Sequence, residues 1–196
     1  MPQIDLEKKR KQLDREITFF HVKRARSLIR DALKTARAQK DSFFILYFNA
    51  QKCILSEHYF CALHLLDKAL AIRPDDGCSY NDKALCWAEM GDYTRSLRCF
   101  NDGIHQDPDC AVLYHNKGWL LNFLERHHEA IICFRKTLEL DESRPESLYS
   151  LADSYEHLGN KTTARKYFLL ASKQVKNRCS YMVRNIKSRL ITLDVR

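Results

Sequence analysis

Small and large apolar residues return along this chain at a fixed interval of 34 residues, in rows that begin at Phe43, Gly77, Ala111 and Pro145. Position 8 of each row holds Ala50, Ala84, Gly118 and Ala152, and position 20 holds Ala62, Ser96, Ala130 and Ala164. Position 24 carries a bulky apolar residue, Leu66, Phe100, Phe134 or Phe168, and position 27 is small again at Ala69, Gly103, Thr137 and Ala171. Pro74 and Pro108 fall at position 32, where a proline ring ends a helix. Gly91 and Gly159 mark a tight turn in the middle of their rows. Each row therefore reads as two antiparallel helices joined by a short turn. Small residues at three offsets let the backbones approach, and the large residue at position 24 fills the space they leave. One pair alone cannot bury its apolar face, so the rows must stack on their neighbours.

This period, with its small, large and proline positions, resembles the tetratricopeptide repeat (TPR) family. Row two is the closest match, through Tyr80, Ala84, Trp87, Gly91, Tyr93, Ser96, Phe100, Gly103 and Pro108. Rows one and three carry Glu57 and Glu125 where the turn glycine is expected, which should loosen those turns. Glu142 and Lys176 stand in place of the proline in rows three and four. The resemblance implies an all-α right-handed superhelix of antiparallel helix pairs, with repeats at 43–76, 77–110, 111–144 and 145–176.

Both flanks continue the helical pattern. From Val175 the apolar residues 175, 179, 182, 183, 186, 190 and 193 form one stripe of helical period, so 177–196 is expected to be an amphipathic capping helix. Residues 1–42 read as two more helices and a degenerate repeat, with Ala25, Ile29 and Ala32 at the spacing of positions 20, 24 and 27. Ser42 is expected to cap the first helix of row one.

Composition narrows the class. With 45% apolar and 30% charged residues the chain can bury a core, and five Gly and four Pro favour long helices with short connections. The longest wholly apolar run, Phe43 to Phe48, is too short to span a bilayer, and the charged N-terminus lacks the apolar stretch of a secretory signal. Eight cysteines without a C-x-x-C pair or framework spacing read as thiols filling helix packing, which suits the cytoplasm or another reducing compartment. The net charge of +8 is segregated: about +7 over 1–40, −8 over 41–160 and +9 over 161–196. Basic ends, including Arg184, Lys187 and Arg189, are either solvated outer faces of capping helices or docking surfaces for an acidic partner. Nucleic acid is the weaker alternative, because few aromatics interleave these cations.

In proteins of TPR type the first helix of each pair lines the concave surface through positions 2, 5, 9 and 12. The resemblance thus implies a groove of Phe44, Tyr47, Gln51 and Ile54, then Cys78, Asn81, Leu85 and Ala88. It continues with Val112, His115, Trp119 and Asn122, then Glu146, Tyr149, Asp153 and Glu156. This surface is aromatic and apolar through three rows and acidic at its end, which suits a peptide or helix with apolar anchors and a basic flank. Tyr47 and Trp119 are the expected hot spots. Alternatively, a terminal helix folds back into the groove and makes these aromatics core. The carboxylate clamp of chaperone-binding TPR proteins is not reproduced: its cation positions hold Tyr47, Val112 and Asn116 in one register and Asn81, Glu146 and Ser150 in the next.

No nucleotide-binding, zinc-protease or nucleophile-elbow motif occurs. Cys53, His58, Cys61 and His64 come nearest to a metal cluster, but His58 and His64 should diverge by about 120° around one helix. His127 and His128 read as polar residues of a repeat turn. The sequence therefore predicts a non-catalytic scaffold or adaptor without metal or cofactor, binding a protein segment in its groove. The alternatives are a structural subunit docked through its basic ends and a nucleic-acid-associated repeat protein.

Overall fold

The computed structural model describes residues 5–18, 21–175 and 180–194. Among these residues there are eleven α-helices and no strand. They fall into two compact units, residues 1–107 and 108–196. Unit 1 contains α1 (Leu6–Thr18), α2 (Val22–Ala38), α3 (Ser42–Ile54), α4 (Tyr59–Ile72), α5 (Gly77–Glu89) and α6 (Tyr93–Gln106). Unit 2 contains α7 (Ala111–Phe123), α8 (His127–Leu140), α9 (Pro145–His157), α10 (Lys161–Val175) and α11 (Ser180–Asp194). Lys176 and Cys179 lie outside the described residues.

Every small or large position of the repeat is buried. Ala50, Ala84, Ala62, Ser96, Ala130, Ala164, Leu66, Phe100, Phe134 and Phe168 have no exposed surface. The contact between position 8 and position 20 is direct in α5 and α6, where Ser96 Oγ donates to the Ala84 carbonyl at 2.8 Å. At Gly118 on α7 a Cβ would stand 2.8 Å from the Phe134 ring, closer than any side chain tolerates. Glycine is needed there because α8 presses its large residue onto the α7 backbone.

The mid-row turns share one geometry. Gly91 and Gly159 have φ of 79° and 76°, and Glu57 and Glu125 adopt φ of 59° at the equivalent positions. The glutamates do not loosen their turns as expected. Glu57 and Glu125 amides bond the carbonyls of Ile54 and Asn122 at 2.9 and 3.0 Å, as Gly91 bonds Ala88 at 2.9 Å. The amides of the next residues, His58, Asp92, Arg126 and Asn160, close the wider ring to Cys53, Trp87, Leu121 and Tyr155 at 2.8–2.9 Å. This double closure satisfies the last carbonyls of the first helix. It holds even where the left-handed residue carries a side chain.

Carboxylates start several helices. Asp41, Asp76 and Asp92 accept from the amides of Phe44, Ser79 and Arg95 at 3.0, 2.8 and 2.9 Å. The cap of α3 is thus Asp41, and Ser42 is its first helical residue.

The flanking helices join the cores of their own units. Leu6 and Leu13 of α1 are buried with Ala25, Ile29 and Ala32 of α2 and with Phe44 and Tyr47 of α3. In unit 2, Ile186 of α11 is buried against Leu148, Ala152 and Phe168, with Met182, Val183, Leu190 and Leu193 packed around it. No helix of the described residues is long and apolar enough to cross a membrane.

Candidate interaction surfaces

In unit 1 the face assigned to the groove is occupied by α1. Arg10 lies between Leu6 and Leu13 on that helix, and its guanidinium meets Asp76 at 2.5 Å. The same group stands 5.4 Å from the Tyr47 ring centre and 5.9 Å from that of Phe44. Glu7 of α1 pairs with Arg73 at 3.4 Å, and Arg73 reaches Asp41 at 3.3 Å. Phe44, Tyr47, Gln51 and Asn81 are consequently buried, and Tyr47 is only 5% exposed. Tyr47 is core, so it offers no hot spot on an open surface. Ile54 packs half-buried with Leu63, Cys86 and Trp87, and Leu85 is also half-buried.

Behind Arg10 lies a polar network centred on Asp82, which accepts from Gln51, Tyr47 and Asn81. Burial pushes the Asp82 carboxyl up to about 7, and the nearby Asp14 and Asp76 carboxylates add to the rise. Burial, reinforced by Asp82, likewise lifts the Tyr47 phenol well above its ordinary range.

In unit 2 the acidic end of the expected groove is taken by α11. Arg189 pairs with Asp153 and, at 3.2 Å, with Glu156, while its guanidinium stands 6.0 Å from the Phe168 ring centre. Arg189 is therefore not a free surface cation, whereas Arg184 and Lys187 are exposed. Tyr149 is half-buried with its ring edge-on to Phe168 at 5.3 Å.

Two polar groove residues tie α7 to α9. His115 Nδ1 lies 2.8 Å from Ser147 Oγ, and Ser154 Oγ donates to Asn122 Oδ1 at 2.9 Å. Burial, with Arg144 nearby, pushes His115 down to about 3 and holds it neutral. His127 begins α8 instead of lying in a loop, stacks on His157 at 4.8 Å, and meets Asn122 at 2.9 Å.

Trp119 is the one exposed member of the sequence-derived groove, at 47%. It stacks on Phe123, one turn further along α7, with ring centres 6.2 Å apart and planes 15° from parallel. Phe123 is 58% exposed and was not among the expected groove residues. Its signal was the apolar residue four positions after Trp119, which places both on one helix face.

Of the candidate metal residues, the structure brings Cys53 and Cys61 together. His58 precedes α4, and Cys53 and Cys61 face each other across the turn with sulfurs 2.8 Å apart. Among the described residues no group of three or more such side chains is arranged to hold a metal ion.

The family model described as tetratricopeptide repeat matches residues 111–144 and 145–173. A thermophilic TPR protein of Thermus thermophilus superposes with a TM-score of 0.74 at 18% identity, covering 95% of this chain and all of that one. Residues 111–173 are thus tetratricopeptide repeats, and the helical fold is that of TPR proteins. A TPR repeat-containing protein of Methanocaldococcus jannaschii is 33% identical over 81 residues, which is 41% of this chain and 25% of that protein. A small glutamine-rich TPR protein of Mycosarcoma maydis is 22% identical over 122 residues, 62% of this chain and 35% of that protein. The chain thus spans about a quarter to a third of the length of these curated relatives. The first TPR of Spaghetti (RPAP3), solved with an HSP90 peptide, aligns at 16% identity with a TM-score of 0.56. That alignment covers 60% of this chain and 94% of the Spaghetti chain. Tetratricopeptide repeats bind peptide or protein partners and are generally non-catalytic.

Proposed function

We propose that this tetratricopeptide-repeat protein is a non-catalytic interaction scaffold that holds a protein partner on the Trp119–Phe123 face of α7. The observation that carries this reading is the exposed, mutually stacked aromatic pair on a first helix of the repeat. Large aromatics exposed together mark interaction surfaces, and such anchors dominate interface energies when a partner buries them. The other aromatics of the expected groove are already satisfied within the chain.

The intramolecular occupants indicate what the faces of these first helices accept. On α1 it is Leu6, Arg10 and Leu13, and on α11 it is Ile186, Arg189 and Leu190: a guanidinium among apolar anchors in each case. Since Arg189 already neutralises Asp153 and Glu156, the partner at Trp119 is expected to bring an apolar anchor and to need no basic flank.

The test is affinity capture from the native source with the full chain and with Trp119→Ala/Phe123→Ala, followed by mass spectrometry. The double variant should keep its helical circular dichroism and lose the specific partners. Retention of the same partners at the same yield would show that this face is not the binding surface.

A further inference from the structure

We infer that α2 and the end of α3 form a second binding surface, a basic cleft that takes an acidic amphipathic helix of a protein partner. The cleft encloses about 830 Å³ within unit 1. Its wall is a cationic stripe of α2: Lys23, Arg26, Arg30, Lys34 and Arg37, in steps of three and four that keep all five on one helix face. Lys52 of α3 faces them across the opening.

None of these six cations is paired with a carboxylate among the described residues. Arg10, Arg73, Lys83 and Arg95 of the same unit each hold an acidic side chain within 3.4 Å. What sets the six apart from other exposed cations of the unit, such as Lys68, is that they gather around one cleft. Arg26 instead reaches the Leu55 carbonyl, at 3.5 Å. Six like charges around one cavity repel one another, so the cleft is complementary to an anionic surface.

The floor decides which anion. Its base is apolar: Ile29 and Leu33 of α2, mostly buried in the core of the unit, reach it with their edges. Half-buried Leu55 at the end of α3 adds to it, and no aromatic residue is among the lining side chains. Single-stranded nucleic acid binds on aromatic stacking platforms within a basic groove, and this cleft supplies only the cations. An apolar strip edged by cations instead fits a helix with apolar residues down its centre and carboxylates on its shoulders. The stripe runs through about four helical turns, roughly 21 Å, so the complementary segment is about 16 residues long with acidic residues every three or four. This surface involves neither Trp119 nor the faces filled by α1 and α11, and it stands or fails independently of them.

The full chain is titrated by fluorescence anisotropy, at about 0.15 M salt, against three probes. These are an amphipathic peptide of about 16 residues built from Glu and Leu at helical spacing, the same peptide with Leu replaced by Ser, and an oligouridylate of similar length. Arg30→Glu/Lys34→Glu is compared with a charge-matched variant outside the cleft, Lys68→Glu/Lys173→Glu; all four residues are exposed. The Glu/Leu peptide should bind at least about tenfold tighter than either other probe. Arg30→Glu/Lys34→Glu should lower its affinity about tenfold or more, and the charge-matched variant should change it less than about twofold, with unaltered circular dichroism in both. Tighter binding of the oligouridylate, lost in the cleft variant, would reassign the cleft to nucleic acid and overturn the proposal. Equal losses in the two variants, or no saturable binding of the Glu/Leu peptide, would also overturn it.

Discussion

Arg10 on α1 reaches the carboxylate of Asp76, 66 residues further along the chain, at 2.5 Å. Asp76 is also the cap of α5, accepting from the amide of Ser79 at 2.8 Å and from its hydroxyl at 2.6 Å. One carboxylate therefore starts a repeat helix and anchors the helix that covers it. Both partners are largely shielded from water, with 14% of the arginine side chain and 8% of the aspartate exposed. The pair thus loses much of the solvent screening that makes surface ion pairs weak.

Removing the guanidinium should detach α1. Arg10→Ala leaves Asp76 buried without its cation and is expected to cost about 3 kcal/mol. Hydrogen exchange should show α1 amides losing protection ahead of those in α3. Asp76→Asn, which keeps a capping side chain, should cost less than Asp76→Ala. Unchanged protection of α1 in Arg10→Ala would mean that Leu6 and Leu13 hold the helix unaided.

Two aromatics assigned to the same expected groove should behave in opposite ways. Tyr47→Ala removes a buried ring and should cost about 3–5 kcal/mol in urea unfolding. Trp119→Ala removes an exposed ring and should shift stability by less than about 1 kcal/mol. Similar losses in the two variants would contradict the burial of Tyr47.

Gly118→Ala should destabilise even though alanine is the better helix former. The added Cβ meets the Phe134 ring at 2.8–3.0 Å, and Phe134 is itself fully buried. Overpacking of this kind costs about 1–3 kcal/mol, more than the ~1 kcal/mol that helix propensity returns. A raised urea midpoint in Gly118→Ala would show that the ring can move aside.

Acid and base should act on different residues. His115 is held down at about 3, against 6.5 ordinarily. Below 6.5 the unfolded chain takes up a proton that the folded chain refuses. The stability from neutral His115 is therefore present above 6.5 and is lost as pH falls towards 3, at up to ~1.4 kcal/mol per pH unit. Asp82 has the opposite sign: its carboxyl is raised from 3.8 to about 7, so the folded chain keeps a proton that the unfolded chain releases. Its contribution is full below 3.8 and disappears as pH rises through about 7. Urea midpoints measured from about pH 4 to 8 should shift accordingly. Relative to the wild type, His115→Gln should gain towards acid and Asp82→Asn towards base. Parallel curves for wild type and variants would exclude these two groups as the titrating residues.

The helix pairs and their internal packing were legible in the sequence because they depend on short-range spacing. Ala62, Leu66 and Ala69, or Ala164, Phe168 and Ala171, must share one helix face wherever the chain goes, and a small face opposite a large one has a single close-packed solution. The turns at Glu57 and Glu125 were less legible. Propensity asks for glycine at positive φ, and the two helices on either side impose that conformation on a glutamate.

Whether the first-helix faces are filled or exposed was decided by tertiary structure alone. Nothing in the spacing around Arg10 points to Asp76, nor does the stripe around Arg189 point to Asp153, because those partners come from distant elements. The same periodicity is compatible with an open face and with a filled one. What settles it is the desolvation of a guanidinium and two apolar anchors on a terminal helix, which is favourable only where a carboxylate and a ring already wait. Trp119 and Phe123 stay about half exposed in unit 2. The sequence determined that they share a face, and the fold decided that this face stays open.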